Sequence, residues 1–300
     1  MSLLNPFTAA KEDTKVSNEL KDFLTDFSIE VMPRTSAKIE SFTEILPKNT
    51  RVYIAHIEGV PIEEMVQTAK RISSEGFAVM PHFPARIIKN KNILEQWIKM
   101  YQDEAGIDQA LLLAGGVVSP HGDFKDSMQL VETELFEKYH FKNLHFAGHP
   151  EGNKDIDYDG STKNIDEALI WKQSYSERSD IDLAITTQFC FEADPVIEWA
   201  NSLIENGINI PIHIGVAGPA KLQTLIKFSI ACGVGPSLRV LQKRAKDIKK
   251  LLLPFEPNDF LETLARHKKT NPSFNITNIH FFPLGGINTN ATWINNAKNN

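Results

Sequence analysis

The chain alternates between short, continuous apolar runs and longer segments in which apolar residues recur every three or four positions. The continuous runs predict strands over 27–33, 51–56, 77–84, 109–116, 143–151, 183–186, 209–215 and 278–286. The periodic segments predict helices over 18–27, 36–46, 61–72, 90–101, 123–139, 164–176, 196–205, 220–231, 238–252, 258–267 and 292–297. Strands that are apolar throughout, instead of alternating, are typical of a parallel sheet covered by helices.

Eight strand–helix pairs within about 270 residues are typical of a (β/α)₈ TIM barrel. We therefore predict one α/β domain over 1–300, with the barrel proper at about 26–297 and a short helix before the first strand. No charge block or low-complexity stretch divides the chain. A doubly wound open sheet is the rival fold, and it is less favoured because no Gly-x-Gly-x-x-Gly follows an early strand.

Composition and charge narrow the possible partners. The 300 residues are 42% hydrophobic and carry a net charge of −6, so no general basic field attracts nucleic acid or an anionic membrane. Cys190 and Cys232 have neither metal-binding nor redox spacing, which favours a reducing compartment. Neither a signal peptide nor a membrane span is evident in the pattern. We expect a cytoplasmic protein, and both a monomer and a homo-oligomer remain open.

A barrel collects its catalytic groups at the carboxyl ends of the strands. In this sequence those ends carry polar side chains and glycines: Glu30, His56, His82, Gly115, Gly116, His149, Glu151, Gln188, His213, Gly215, Gly285 and Gly286. Glycines there allow backbone amides to approach a phosphate or a planar ring closely. The histidines and a glutamate are also a conceivable metal site, but they come from different strands without paired spacing, so we expect no metal.

Gln188 lies where the sixth strand is predicted to end, between aromatic residues. Asp194 is a good N-cap and Pro195 fits the first position of the next helix. An amide beside Phe189 and Phe191 is able to orient a flat ligand with a polar edge. The alternative is that Gln188 merely caps the loop.

Glu30 is a carboxylate inside an otherwise apolar first strand. If it is buried, its pKa is expected to rise, which would let it act as an acid or base near neutral pH. The alternatives are a glutamate on a solvated strand face or one paired with Arg34.

From about residue 27 to residue 293, the chain resembles the catalytic barrel of methylenetetrahydrofolate reductases. Ser28-Ile-Glu-Val-Met-Pro-Arg-Thr-Ser resembles that family's opening strand, whose glutamate is the general acid on the folate. Thr186-Thr-Gln-Phe-Cys-Phe resembles the segment whose glutamine grips the pterin. The resemblance therefore implies that Glu30 is catalytic and that Gln188 and Phe191 bind substrate.

Other segments resemble the family's flavin site. Pro81-His82 resembles the third-strand histidine, and Gly148-His-Pro-Glu-Gly resembles a fifth-strand Tyr-Pro-Glu segment. The strand ending at 116 resembles one that ends in Arg-Gly-Asp, of which only the glycine survives, as Gly115. The implied cofactor-binding residues are His82, Gly115, Gly116, His149, Glu151 and Lys172.

Two departures bear on the cofactor. Ala114 and Gly116 replace the family's arginine and aspartate, and the basic cluster of the fifth helix is reduced to Lys172. Charge-assisted contacts to phosphate are strong, so their loss weakens flavin binding unless other groups compensate.

The resemblance implies an oxidoreductase that interconverts 5,10-methylenetetrahydrofolate and 5-methyltetrahydrofolate, with NAD(P)H as electron source through FAD. Two alternatives stay open. One is a flavin-free folate enzyme of the same fold, which takes hydride directly or moves a methyl group. The other is a non-catalytic folate-binding subunit.

Overall fold

A closed barrel of eight parallel strands forms the centre of the molecule, as predicted. In the computed structural model, which describes residues 16–245 and 254–299, neighbouring strands pair in chain order and β1 closes on β8. The strands are β1 Phe27–Val31, β2 Arg51–Ile54, β3 Ala78–Pro84, β4 Gln109–Leu113, β5 Asn143–Gly148, β6 Asp182–Cys190, β7 Ile212–Ala217 and β8 Ile276–Phe282.

Helices cover the outside of the barrel. They are α1 Asn18–Phe23, α2 Pro33–Ser36, α3 Ile62–Ser74, α4 Lys91–Ala105, α5 Ser127–Val131, α6 Leu135–Lys138, α7 Lys163–Ser176, α8 Ala193–Glu205, α9 Leu222–Ala231, α10 Gly235–Ala245, α11 Asn258–Thr270 and α12 Ile287–Asn299. In the part of the chain that the structure describes, no helix has the length and apolar character needed to cross a membrane. The helix predicted to reach residue 252 is described only as far as α10, and its end lies outside the described residues.

The helix predicted over 36–46 is wrong. That segment forms only α2 and one 3₁₀ turn, Phe42–Glu44. Arg71 of α3 donates to the carbonyl oxygens of Ser36 and Glu40, each at 3.0 Å, and the Phe42 amide donates to Glu75 Oε2 at 2.6 Å. Because α3 satisfies these backbone groups, the segment stays irregular.

The helix predicted over 123–139 is divided into α5 and α6. Glu134 has a φ of +61°, a left-handed conformation that a helix cannot continue through. At this break the Thr133 hydroxyl donates to the Leu130 carbonyl oxygen at 2.6 Å, which gives that carbonyl a partner at the end of α5.

The start of α8 differs from the prediction by a few residues. The helix begins at Ala193 with Glu192 as its N-cap, so Asp194 lies in the first turn and is not the N-cap. Strand β6 runs on to Cys190, and Gln188 is therefore within the strand and not past its end.

The apolar core lies between the strands and the helices. Outward-facing residues such as Ile29, Val52 and Phe281 are fully buried there. A second, smaller cluster lies beneath α9 and α10 and contains Phe189, Phe191, Ala217, Ala220, Leu222, Leu225, Val234, Leu241 and Phe255. We call it the cap cluster.

Between β7 and α11 the chain makes a long excursion that carries α9 and α10. Its two ends are joined by an antiparallel bridge, in which the amide of Ala220 donates to the Phe255 carbonyl at 3.2 Å and the reverse bond measures 2.9 Å. The base of the excursion is therefore fixed to the barrel.

Candidate active site

Polar side chains point into the barrel at several positions along its axis. Residues paired across neighbouring parallel strands face the same side of the sheet. The register pairs Glu30 with Tyr53, Thr186 with His213, and His82 with Leu111 and through it His145. Barrel interiors are usually filled by branched aliphatic side chains, so this set requires a chemical explanation.

Glu30 lies between two imidazoles on the inner face of the barrel. Its Oε2 is 3.3 Å from Nε2 of His82 and 3.8 Å from Nε2 of His280. Neither nitrogen makes a hydrogen bond of standard geometry, so both contacts are mainly electrostatic. Arg34 is exposed, and the ionic neighbours of Glu30 are these histidines. About 20% of the Glu30 side chain remains exposed.

The expectation that burial raises the pKa of Glu30 is wrong for the unliganded protein. Burial alone does act in that direction, but the interactions with His280 and His82 outweigh it and hold the pKa at about 2, below the ordinary 4.5. Burial keeps the pKa of His280 below its usual value, although the charge of Glu30 opposes that shift. Glu30 is therefore ionised at neutral pH.

Gln188 presents an amide oxygen with no hydrogen-bond partner in the described chain, although that atom is buried. A bulge between Thr186 and Phe189 interrupts the pairing of β6 with β7 at this point. Gly215 of β7 makes the bulge possible, because a Cβ atom there would lie 2.3 Å from the Thr187 carbonyl oxygen. Orphaned buried amides are rare in native proteins, and Gln188 is suited to a ligand that donates to it.

The space beside Gln188 is small. The end of α9 brings Cys232 and Val234 over it, and they enclose a cavity of about 10 Å³ together with His149, Glu151 and Cys190. Such a volume holds at most one water molecule.

Phe191, predicted to bind substrate, is 8% exposed and belongs to the cap cluster. Its ring packs edge-on against Phe255 at 5.1 Å and against Phe189 at 5.8 Å. It reaches a ligand only if the cap cluster opens.

The glycines predicted for the cofactor follow β4. Gly115 has a φ of +93°, which favours glycine, and Gly116 is exposed, with open space where a Cβ atom would stand. A flat ring or a phosphate group is able to approach the backbone at this turn.

Lys172 and His149 lie behind the end of β5. Lys172 is 6% exposed, and its ammonium group donates to the Ala147 carbonyl at 3.2 Å. Burial lowers the pKa of Lys172 to about 8, with Asp126 acting against it. Burial, helped by Lys172, lowers the pKa of His149 to about 4. In this conformation Lys172 points into the protein and away from any phosphate.

The remaining strand-end histidines pack against other rings. His56 stacks on Trp97 at 4.8 Å, and His213 meets His145 edge-on at 4.6 Å. In residues 16–245 and 254–299, no group of three histidine, cysteine or acidic residues is arranged to hold a metal ion.

Sequence reasoning assigned no role to Tyr53, His145 or His280. Each stands at an inward position of a strand that reads as apolar, and each is at most 2% exposed. The sequence offered one indication of these inward positions. Residues two apart in a strand face the same side, so His280 was expected on the same side as Phe282.

Comparison with known proteins supports the fold. No protein-family model matches the chain. An uncharacterized protein from Clostridium thermocellum that binds two copies of 5-methyl-5,6,7,8-tetrahydrofolic acid aligns over 93% of this chain and 96% of its own, with a TM-score of 0.56 and 11% identity. A GH10 structure from Paenibacillus barcinonensis aligns over 91% and 87%, with a TM-score of 0.40 and 11% identity. The similarity to the C. thermocellum protein supports the barrel fold. The similarity to the GH10 structure is too low to add support.

Proposed function

We propose that the protein binds a reduced folate at the barrel mouth and interconverts 5,10-methylenetetrahydrofolate and 5-methyltetrahydrofolate. One observation carries the proposal: the carboxylate of Glu30, held by two imidazoles, and Gln188, whose amide oxygen has no partner, both interact with Cys232 at the end of α9. The amide of Gln188 suits the donor edge of a pterin, and Glu30 suits proton transfer to a folate nitrogen. The folate-binding protein from C. thermocellum supports this choice of ligand class.

Glu30 needs a proton before it can act as an acid. Its carboxylate is ionised in the unliganded protein and keeps some exposure. A flat ligand that covers it removes the remaining contact with water, and this desolvation raises the pKa of the carboxyl group. Protonated Glu30 then donates to the folate nitrogen as the five-membered ring opens, with His82 and His280 beside it.

FAD and NAD(P)H are part of the proposal. The residues that would hold the flavin are His82, Gly115, Gly116, His149, Glu151 and Lys172. When bound, the flavin would supply the hydride. The turn at Gly115 and Gly116 leaves room for a planar ring, but Lys172 can reach the phosphates only if it leaves the Ala147 carbonyl.

We expect weakly retained flavin for this reason. Protein purified with excess FAD should lose a large part of it during dialysis, measured from the absorbance ratio of flavin to protein. Stoichiometric flavin that survives dialysis would show that other groups hold the phosphates.

A flavin-free folate enzyme is the second candidate. It is favoured by the inward-turned ammonium of Lys172 and by Ala114 at the position where the resemblance places an arginine.

One set of assays separates the candidates. Binding of 5-methyltetrahydrofolate is measured by calorimetry, and anaerobic NAD(P)H oxidation with methylenetetrahydrofolate is followed with and without added FAD. Turnover only with FAD supports the reductase, turnover without FAD supports the second candidate, and binding without turnover indicates a non-catalytic subunit. Absence of folate binding contradicts all three.

A further inference from the structure

The interior below Glu30 holds buried polar side chains that the proposed reaction does not use. Tyr53 and His280 are fully buried, His145 is 2% exposed and Thr186 is 4% exposed. Burying such groups is costly unless they are hydrogen-bonded to one another. Burying these polar side chains costs more free energy than burying aliphatic ones, and the hydrogen bonds among them must offset that cost.

The Tyr53 hydroxyl is anchored at two points. It lies 2.6 Å from Nδ1 of His145 and 3.2 Å from Oγ1 of Thr186. Burial, followed by the nearby His213, keeps the pKa of His145 well below its usual value, so His145 is neutral, and its tautomer sets which atom donates in this contact. Burial raises the pKa of Tyr53 to about 12, so the phenol keeps its proton. The hydroxyl therefore fixes the direction of the ring.

The ring of Tyr53 packs against the imidazole of His280. Their centroids are 4.3 Å apart with an interplanar angle of 57°. The other contacts of that imidazole are Ser28 Oγ, 2.9 Å from Nδ1, and the Phe282 ring, edge-on at 4.8 Å. With Nδ1 at Ser28, Nε2 is left facing Glu30. Tyr53 is also the lateral neighbour of Glu30 in the β1–β2 register, which places its ring directly beside this group.

We propose that Tyr53 is a positioning residue, whose aromatic ring holds the His280 imidazole against Ser28 and Glu30 and so sets the charge state of the acid. The inference rests on the proposed function for its catalytic meaning, but the positioning itself is a property of the unliganded protein. The titratable groups that face Glu30 are His82 of β3, His280 of β8 and Cys232 at the end of α9. Tyr53 contacts two of these rings, since it also meets His82 edge-on at 6.4 Å.

The test compares Tyr53→Phe, which keeps the ring, with Tyr53→Leu, which removes it. Tyr53→Met, closer in volume, replaces the leucine variant if that variant does not fold. Tyr101→Leu is the matched control, because Tyr101 is 1% exposed and packs on Phe83 outside the barrel interior. The readouts are the carboxyl ¹³C titration of Glu30, assigned by its loss in Glu30→Gln, and the ¹⁵N signals of the His280 imidazole.

We expect the Glu30 midpoint to rise by about 1 unit or more in Tyr53→Leu, because a displaced His280 no longer favours the charged form. Tyr53→Phe should stay within about 0.3 unit of the wild type, although an unpaired His145 costs it stability. With folate, the pH profile of kcat should shift upwards with the midpoint in Tyr53→Leu, while KM stays within about 2-fold.

Two results would overturn the proposal. One is an unchanged Glu30 titration in Tyr53→Leu, with only the loss of stability seen in Tyr101→Leu. The other is an equal shift in Tyr53→Phe, which would assign the effect to the hydroxyl and not to the ring. If the wild type turns over no folate, the proposed function fails, but the titrations still decide whether Tyr53 positions His280.

Discussion

Glu30 and Gln188 differ in whether their polar atoms have partners. Glu30 is charged and lies against two imidazoles, whereas the Gln188 amide oxygen accepts no hydrogen bond from the described chain. Substitution of the first should therefore affect a rate, and substitution of the second should affect an affinity.

For Glu30→Gln we expect folate turnover at least ~100-fold slower with folate affinity nearly intact, because the amide keeps the shape but releases no proton. Steady-state rates and calorimetric affinities check this. If Glu30 is only a paired strand residue, the melting temperature falls and the rate per folded molecule stays the same.

For Gln188→Ala we expect folate binding weakened by about 1–3 kcal/mol, since the pterin edge loses its partner. Titration with 5-methyltetrahydrofolate measures the change. The turnover number at saturating folate should change less than the affinity does, and an unchanged affinity would return Gln188 to the role of a loop residue.

At the residue scale, the sequence placed Glu30 in its strand but not beside its partners. His82 and His280 meet Glu30 only after β1, β3 and β8 close into a barrel, and their interactions with its carboxylate reverse the pKa shift expected from burial alone. Periodicity along one strand contains no information about which rings arrive from the other two.

At the element scale, strands were easier to predict than helices. The apolar runs that become β1 to β8 are buried on both faces, so each can be recognised without knowing which elements pack against it. The segment 36–46 was mistaken for a helix because its backbone is satisfied by Arg71 of α3 and by Glu75, which directly follows α3. Non-local hydrogen bonds of this kind leave no local periodicity.

The excursion over the mouth should open separately from the barrel, because the cap cluster is distinct from the main core. We expect Leu225→Ala to loosen α9 and α10 while the barrel strands keep their protection, since a fully buried leucine there contributes about 2–5 kcal/mol to its own cluster. Hydrogen exchange should show faster amide exchange in α9 and α10 only, and folate should associate faster.

Leu264→Ala is the matched control, because Leu264 is equally buried but belongs to the main core. It should lower protection across the barrel. If Leu225→Ala does the same, the excursion and the barrel unfold as one unit.

At the scale of the whole molecule, buried histidines make the fold sensitive to acid. Burial lowers the pKa of His213 to about 3 and of His56 and His149 to about 4, with smaller effects of nearby positive groups. The unfolded chain binds protons below pH 6.5, where these residues stay neutral in the folded state. Stability is therefore complete above that pH and is lost as the pH falls towards 4 and 3.

We expect the free energy of unfolding to be flat from about pH 7 to 7.5 and to fall below pH 6.5, by up to about 1.4 kcal/mol per pH unit for each such histidine. It should rise above about pH 8, where Lys172 loses its proton in the folded state before it does in the unfolded chain. Denaturant titrations across this range measure it. Glu30 adds a separate loss between pH 4.5 and 2, because its folded pKa is depressed. His213→Asn should reduce the slope, because it removes one of these buried titrating groups.

The bridge between Ala220 and Phe255 joins the two ends of the excursion at the surface of the barrel. A segment whose ends meet can be lengthened, shortened or replaced without moving the elements on either side. In this protein the residues that cover the mouth and the two imidazoles that hold Glu30 therefore come from separable stretches of sequence. The entrance is modular, and what is admitted can be changed by design or by evolution while the chemistry within the barrel is kept.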